Sequence, residues 1–419
     1  MRLVHFADLH LGIENYGRID PETGLHSRFQ DYIRCLDFVI DHAIEHGADA
    51  VLCAGDVYRN ANPNPTWQRE FASRMKTLHN AGIPIVIVVG NHDIPAGFGR
   101  ATSVDIFGAL DLERTLIIRE PGLHILQTPN GPLQVAGLPW PTRHFLRSND
   151  QFYRLDQEQT NQKISAICKG QIEQFGREIN REYPSILIAH ATASEAIFSG
   201  SERSAMVGLD PTLLTSTLAH PAFDYVALGH IHRHQILNQN GKPPVVYSGS
   251  IERIDFGEIS DIKGFCDVSI QGAEAGSTIP EIRTVAISFI PTPARRFISI
   301  EADARGQNAT ELLIESLEGS DISDAVVRVS CLCDVDQASS IDMTAVRKAL
   351  QKAHYIAGIL PKTIPKEKIR RVSISEETKM LDALNLYIDN NPSLSDKRET
   401  LRQYAENLER NFDPVEKSI

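Results

Sequence analysis

The side chains best suited to chemistry in this chain fall just after short apolar runs: Asp8, His10, Asp56, Asn91, His92, His190, His230 and His232. Gly55, Gly90 and Gly229 each directly precede a member of the set. Carboxylate, imidazole and amide together, without thiolate, suit Mn²⁺ or Fe²⁺, and also Zn²⁺, better than Mg²⁺, which prefers an all-oxygen shell. Two divalent ions roughly 3.5–4 Å apart need about seven protein ligands, one of them a carboxylate touching both. The set supplies that number with one residue to spare. A two-metal centre lowers the pKa of a bound water and stabilises the incoming and outgoing oxygens of a displacement at phosphorus. The chemistry is therefore hydrolysis of a phosphate ester. The spare residue is His92, acting as an acid to the leaving oxygen or a donor to the phosphate. It follows Asn91 directly, so its ring should point away from that ligand's metal, and Asp93 is placed to orient it.

The elements that must position these residues read as a series. Val86-Ile87-Val88-Val89 is a β-branched run without alternation, bounded by Pro84 and Gly90, which is the pattern of a strand buried on both faces. Arg2–Ala7 ends at Asp8-Leu9-His10, and Ala50–Ala54 ends at Gly55-Asp56. Helical spacing over 33–46 and 67–80 separates these strands, the signature of parallel βαβ units. Ligands in such sheets bind at the carboxyl ends of strands. His5 reads as a core histidine on the first strand. The middle is less regular: short strands over 116–127 and 133–136, a hairpin at Asn130-Gly131, and helical spacing within 150–181. Strands then recur before His190, before Gly229-His230-Ile231-His232, and over Val245–Tyr247. Past residue 290 the metal-type residues stop. Domains are expected at 1–290, at 291–365 as a small α/β domain, and at 366–419 as a linker with two amphipathic helices. The helices carry Met380, Leu381, Leu384, Tyr387 and Ile388, then Leu401, Tyr404, Ala405, Leu408 and Phe412. Their apolar stripes either fold back on the body or dock a partner helix-in-groove.

Composition bounds the reading. With 419 residues, 42% hydrophobic and 23% charged, the chain can bury two or three cores. No apolar run reaches the length of a membrane span. A signal peptide is not expected, because cleavage would remove Asp8. Six cysteines without a spacing framework suggest reduced thiols and a cytoplasmic setting. Cys331 and Cys333 would share one face of a strand as a buried pair. The net charge of −12 argues against a broad basic nucleic-acid surface. It leaves room for an enzyme whose bound cations supply local positive charge. Phosphate contacts would come from arginines in the rim loops: Arg18, Arg28, Arg59 and Arg253, with Arg100 and Arg143 as further candidates.

Asp8-x-His10, Gly55-Asp56, Gly90-Asn91-His92-Asp93, His190 and Gly229-His230-x-His232 together resemble the motif series of calcineurin-like metallophosphoesterases over residues 1 to about 260. More narrowly the chain resembles the SbcD family of DNA-repair nucleases, through Asp8-Leu9-His10-Leu11-Gly12, Gly137-Leu138-Pro139-Trp140-Pro141 and the run from Tyr247 to Glu258. The resemblance implies a β-sandwich flanked by helices, with a small α/β capping domain and C-terminal helices. It implies one metal on Asp8, His10, Asp56 and His232. A second would sit on Asp56, Asn91, His190 and His230, with Asp56 bridging. His92 would be catalytic without being a ligand. It further implies two Mn²⁺ ions, 3′→5′ exonuclease activity on duplex ends and endonuclease activity on single strands or hairpins. The implied setting is DNA repair and recombination, with a homodimer and a coiled-coil SbcC-type ATPase as partner. Arg59 departs from the pattern, since relatives often carry Asp or His there. The rival reading is a phosphodiesterase or phosphatase acting on a non-DNA substrate through the same core, because fold does not fix substrate.

Overall fold

Arg2–Phe6 (β1), Ala50–Cys53 (β2), Ile85–Val88 (β3) and Thr115–Ile118 (β4) are apolar runs that pair in parallel in that order, the middle two buried throughout. The structure is a computed structural model that describes all residues except 97–98, 111–113, 143–154, 201–209, 240, 273–282, 364–378, 390–391 and 411–419. The strands that follow in the chain are Gly122–Thr128 (β5), Gly131–Leu138 (β6), Ser185–His190 (β7), Tyr225–Gly229 (β8), Gln235–Ile236 (β9), Val245–Tyr247 (β10), Gly264–Gln271 (β11) and Thr284–Pro291 (β12). One six-stranded sheet runs β12-β11-β1-β2-β3-β4, the other β9-β10-β8-β7-β6-β5. The stretch 116–127 therefore does not stay in one sheet. It leaves the first at Ile118 and enters the second at Gly122, where it forms the hairpin with Gly131–Leu138.

Side-chain alternation explains the layers. On β1, Leu3 and the adjoining Ala7 face the space between the sheets with Val86, Val88, Val135, Ile186, Ile188 and Ala227. Val4 and Phe6 face the other way, against helices Ser27–Glu45 (α1) and Pro65–Asn80 (α2) through Leu36, Val39, Phe71 and Met75. The second sheet is covered likewise by helix Gln157–Glu178 (α3), through Ile164, Cys168, Ile172 and Phe175. Each fully buried side chain of this kind contributes roughly 1.5–3 kcal/mol. The result is a β-sandwich flanked by helices. Strands covered on both faces must be apolar on both faces, which is why they lack alternation. His5 lies inside the sandwich, with its Nδ1 2.9 Å from the Tyr225 hydroxyl.

Helix α1 begins at Ser27, six residues before its apolar periodicity does, with His26 accepting from the Arg28 amide. Beyond the sandwich, strands Phe297–Asp303, Val326–Cys333 and Tyr355–Thr363 alternate with helices, including Ala309–Glu318 and Met343–Ala349. The chain divides into two compact units: Met1–Ile300 with Ser316–Ser330 and Arg347–Leu360, and Glu301–Glu315 with Cys331–Val346 and Pro361–Ile419. In the second, helices Met380–Asp389 and Arg398–Arg410 pack together and bury Ile388 and Ala405. Met380, Tyr387, Tyr404 and Leu408 remain exposed. The basic run at Lys366, Lys368, Arg370 and Arg371, and Phe412, lie outside the described residues. All six cysteines are buried and unbridged. No helix among the described residues is long and apolar enough to cross a membrane.

Candidate metal centre

The parallel strands of both sheets end at one edge of the sandwich, and there the backbone leaves regular geometry. Asp8 (φ 53°), His10 (φ 45°), Asp56 (φ 55°) and His230 (φ 98°) all adopt left-handed conformations. Each costs about 1–3 kcal/mol in a non-glycine residue, and such strain gathers at functional sites. Hydrogen bonds from the Asp8 amide to the Gly55 carbonyl (3.1 Å) and from the His10 amide to the Asp56 carbonyl (3.0 Å) hold the first two strand ends together. The sheets themselves meet at Gly229, where a Cβ would lie 2.0 Å from the Ala54 oxygen. Gly90 is needed for the same reason: a Cβ there would come within 2.2 Å of Asp56 Oδ1. Close approach, rather than a left-handed turn, is what demands glycine at these two positions.

Ligand-type atoms converge in the space so formed. Those of Asp8, His10 and His232 lie within 4.8 Å of one another, as do those of Asp56, His190 and His230. Asp56 stands between the groups, its Oδ2 3.7 Å from His10 Nε2 and 3.3 Å from His190 Nε2. Asn91 Oδ1 is 2.9 Å from His190 Nε2 and 3.1 Å from His230 Nδ1. The tautomers follow from the outer contacts. His190 Nδ1 donates to the Ala54 carbonyl (2.7 Å), which turns Nε2 toward Asp56 and Asn91. His232 Nδ1 donates to Glu258 Oε1 (2.8 Å), leaving its Nε2 3.0 Å from His10 Nε2. Carboxylate oxygens, an amide oxygen and imidazole nitrogens gathered in one buried pocket can hold a cation among them, so the donor set fits divalent metal.

The electrostatics agree. Burial pushes the His190 imidazole down, but the Asp56 and Asp8 carboxylates more than offset this and raise it to about 9. A field that attracts a proton so strongly attracts any cation. Burial resists ionisation of Asp56, yet the His190 ring beside it holds its carboxyl well below the usual range. Asp8 goes the other way, raised to about 6 by burial against its histidine neighbours. Burial lowers His10 and His230 and keeps both rings neutral, as ligation needs.

Residues 1–234 match the calcineurin-like phosphoesterase family. The chain belongs to that family. Divalent metal is what this phosphoesterase family implies for the Asp/His clusters described above. The chain is also similar to the DNA double-strand break repair protein Mre11 of Archaeoglobus fulgidus, 24% identical over 403 residues, covering 92% of this chain and 79% of the relative. Solved structures show weaker likeness. A protein from Thermus thermophilus overlaps at a TM-score of 0.34 and 17% identity, covering 59% of this chain and 89% of its own. A dimetal phosphatase from Danio rerio overlaps at 0.34 and 10% identity, covering 64% and 92%.

Around the phosphoesterase centre the structure corrects three expectations. Asp93 does not orient His92. It accepts hydrogen bonds from the Asp56 amide (3.0 Å), the Gly90 amide (3.1 Å) and the Ser103 hydroxyl (2.9 Å), so it shapes the loop carrying Asp56. The exposed His92 is held by the Arg59 carbonyl, 3.0 Å from its Nδ1, and by its own amide on Asp56 Oδ1 (2.8 Å). Its ring stands edge-on to His10, with centroids 4.8 Å apart. Arg28 is not at a rim: it is fully buried in the first turn of α1, paired with Asp31 (2.8 Å) and Glu252 (3.5 Å). Arg253 is committed to the carbonyls of Arg295 (3.0 Å) and Asp261 (2.8 Å). Arg18, Arg59 and Arg100 are exposed, and Arg143 lies outside the described residues.

Sequence reading missed the outer partners. Trp140 packs on His230 with ring centroids 4.5 Å apart, and Asp210 Oδ2 lies 3.4 Å from His230 Nε2. Glu258 and Lys263 support His232. Trp140 and Glu258 were visible only as parts of longer runs, and nothing local marked Asp210 or Lys263.

Proposed function

We propose that this protein is a metal-dependent DNA nuclease of the SbcD type, cleaving phosphodiesters in DNA repair and recombination. The observation that carries the reading is the convergence of Asp8, His10, Asp56, Asn91, His190, His230 and His232, with the exposed His92 ring close to His10 and Asp56. Those seven residues would hold two Mn²⁺ ions, Fe²⁺ or Zn²⁺ being compatible, with Asp56 shared. Bound there, the ions would supply Lewis acidity to a phosphoryl group and to an attacking water. His92 meets the substrate: with Nδ1–H on the Arg59 carbonyl, its Nε2 is the nitrogen left to face it, and the ring protonated on both nitrogens would give that Nε2 proton to the leaving oxygen or bind the phosphate with it. Exposed Arg18 and Arg59 are the proposed phosphate contacts.

DNA is favoured as substrate because similarity to the Archaeoglobus repair protein spans 92% of the chain, well past residue 234 where the phosphoesterase match ends. Residues 235–290 would complete the nuclease domain, followed by a capping domain at 291–365 and a helical tail at 366–419 that docks an SbcC-type ATPase. The enzyme would act as a cytoplasmic homodimer, a 3′→5′ exonuclease on duplex ends and an endonuclease on single strands or hairpins.

The test is Mn²⁺-dependent nucleotide release from an end-labelled linear duplex, with His92→Ala as control. Release by the wild type, reduced about 10²–10⁴-fold in the variant with metal content unchanged, is expected. Hydrolysis of a chromogenic phosphodiester without any release from DNA, even with the ATPase present, would favour a smaller substrate.

A further inference from the structure

Glu258 and Lys263, which meet His232 from outside the candidate ligand set, are both fully buried, 0% and 2% exposed. Buried charges persist when each polar atom is answered, and in this pair each one is. The Lys263 ammonium donates to Glu258 Oε2 (2.8 Å), to the His232 carbonyl (3.1 Å) and to the Ser250 hydroxyl (3.0 Å), using its three hydrogens. Glu258 Oε2 also accepts from the Ile254 amide at 2.9 Å. Glu258 Oε1 is turned the other way, 2.8 Å from His232 Nδ1. A pair serving only to pin the turn at 254–258 would use Oε2 alone. This one spends its second oxygen on the ring of a candidate ligand and its lysine on that ligand's backbone.

We propose that Glu258, held by Lys263, is a positioning residue for metal binding through His232. It fixes the Nδ1–H tautomer and aims Nε2 into the group formed with Asp8 and His10. The proposal rests on the two-metal reading of the centre. The two histidines of the other group have different supports: His190 uses the neutral Ala54 carbonyl, and His230 faces Asp210. The effect of Glu258 is therefore confined to one of the two ions. Outer partners of this kind typically change metal affinity by about 10–100-fold. The nearby Phe256, two residues before Glu258 on the same 3₁₀ turn, packs on Phe297 and under Arg328, so the turn has an independent anchor.

The experiment is Mn²⁺ titration of the full chain without DNA, followed by the paramagnetic resonance of free Mn²⁺ and by calorimetry. Wild type is expected to take up two ions. Glu258→Met combined with Lys263→Met removes both charges together and leaves neither orphaned. It should weaken one ion by about 10–100-fold and leave the other unchanged, with the thermal melt still cooperative. Glu258→Gln combined with Lys263→Met keeps an acceptor for Nδ1–H without orphaning the lysine and should restore binding to within a few-fold. A folded double variant that binds both ions like wild type overturns the positioning role while leaving the two-metal reading intact. A wild type that binds no Mn²⁺, Fe²⁺ or Zn²⁺ overturns both. Failure to cut DNA touches neither result.

Discussion

The guanidinium of Arg28 shows how little residue type alone says about role. Read in sequence it is a basic side chain in a polar loop. In the fold it is buried against Asp31, Glu252 and the ring of Phe297, while Arg295 grips the same Asp31 through Nη2 at 2.6 Å. Arg59, by contrast, is exposed and adjacent to the loop that holds His92. The two should therefore separate cleanly on substitution. Arg28→Ala takes the buried cation away from Glu252, while Asp31 keeps Arg295, and should cost about 3–5 kcal/mol of stability in denaturant titration. Arg59→Ala should leave stability within about 0.5 kcal/mol and weaken duplex binding. Equal stability losses in the two variants would sink the distinction.

At the scale of the element, β1 carries a structural histidine and leads directly to a candidate metal ligand. His5 sits between the sheets against Tyr225, where burial lowers its pKa to about 3 against a weak pull from the Leu228 backbone. His10, beyond the strand end, faces the metal groups. In the unfolded chain His5 titrates near 6.5. Between that value and about 3 the unfolded state binds a proton that the folded state refuses. Stability from this group is full above pH 6.5 and falls as pH drops, by about 1.4 kcal/mol per pH unit across that window. His5→Gln, which keeps a partner for Tyr225, should flatten the slope of unfolding free energy between pH 6.5 and about 3. An unchanged slope in urea titrations at stepped pH would contradict the assignment. The strand ends obey a different constraint. Left-handed Asp8 and Asp56 are tolerable because the flanking strands are held on both faces and cannot relax.

For the whole molecule, the tail is the part on which the docking proposal rests. Helices Met380–Asp389 and Arg398–Arg410 bury Ile388 and Ala405 between them and leave Tyr387, Tyr404 and Leu408 exposed. Apolar groups so displayed on short helices suit a helix-in-groove partner. Leu401→Glu combined with Leu408→Glu should abolish co-purification with an SbcC-type ATPase and leave Mn²⁺ uptake at the metal centre unchanged. Undiminished co-purification would end the docking proposal. The net charge of −12 fits the same division of labour, with a partner contributing to the grip on DNA.

The sequence alone determined which side chains follow the main apolar strands. Runs such as Val86–Val89 are apolar because both faces are covered, and chemistry follows directly on such runs at Asp8, Asp56, Asn91, His190 and His230. These are local signals, readable from composition and spacing. The buried histidine on β1 and the hairpin at Asn130-Gly131 were legible for the same reason. Only the tertiary structure decided what each polar atom answers. Glu258 reaches His232 across 26 residues, and Asp93 serves the Asp56 loop rather than its neighbour His92. Arg28 became core because the helix starts at Ser27 and turns it inward. Burial and hydrogen-bond partnership depend on which strands lie side by side, and β1 pairs with β2 and β11, dozens to hundreds of residues away in the chain.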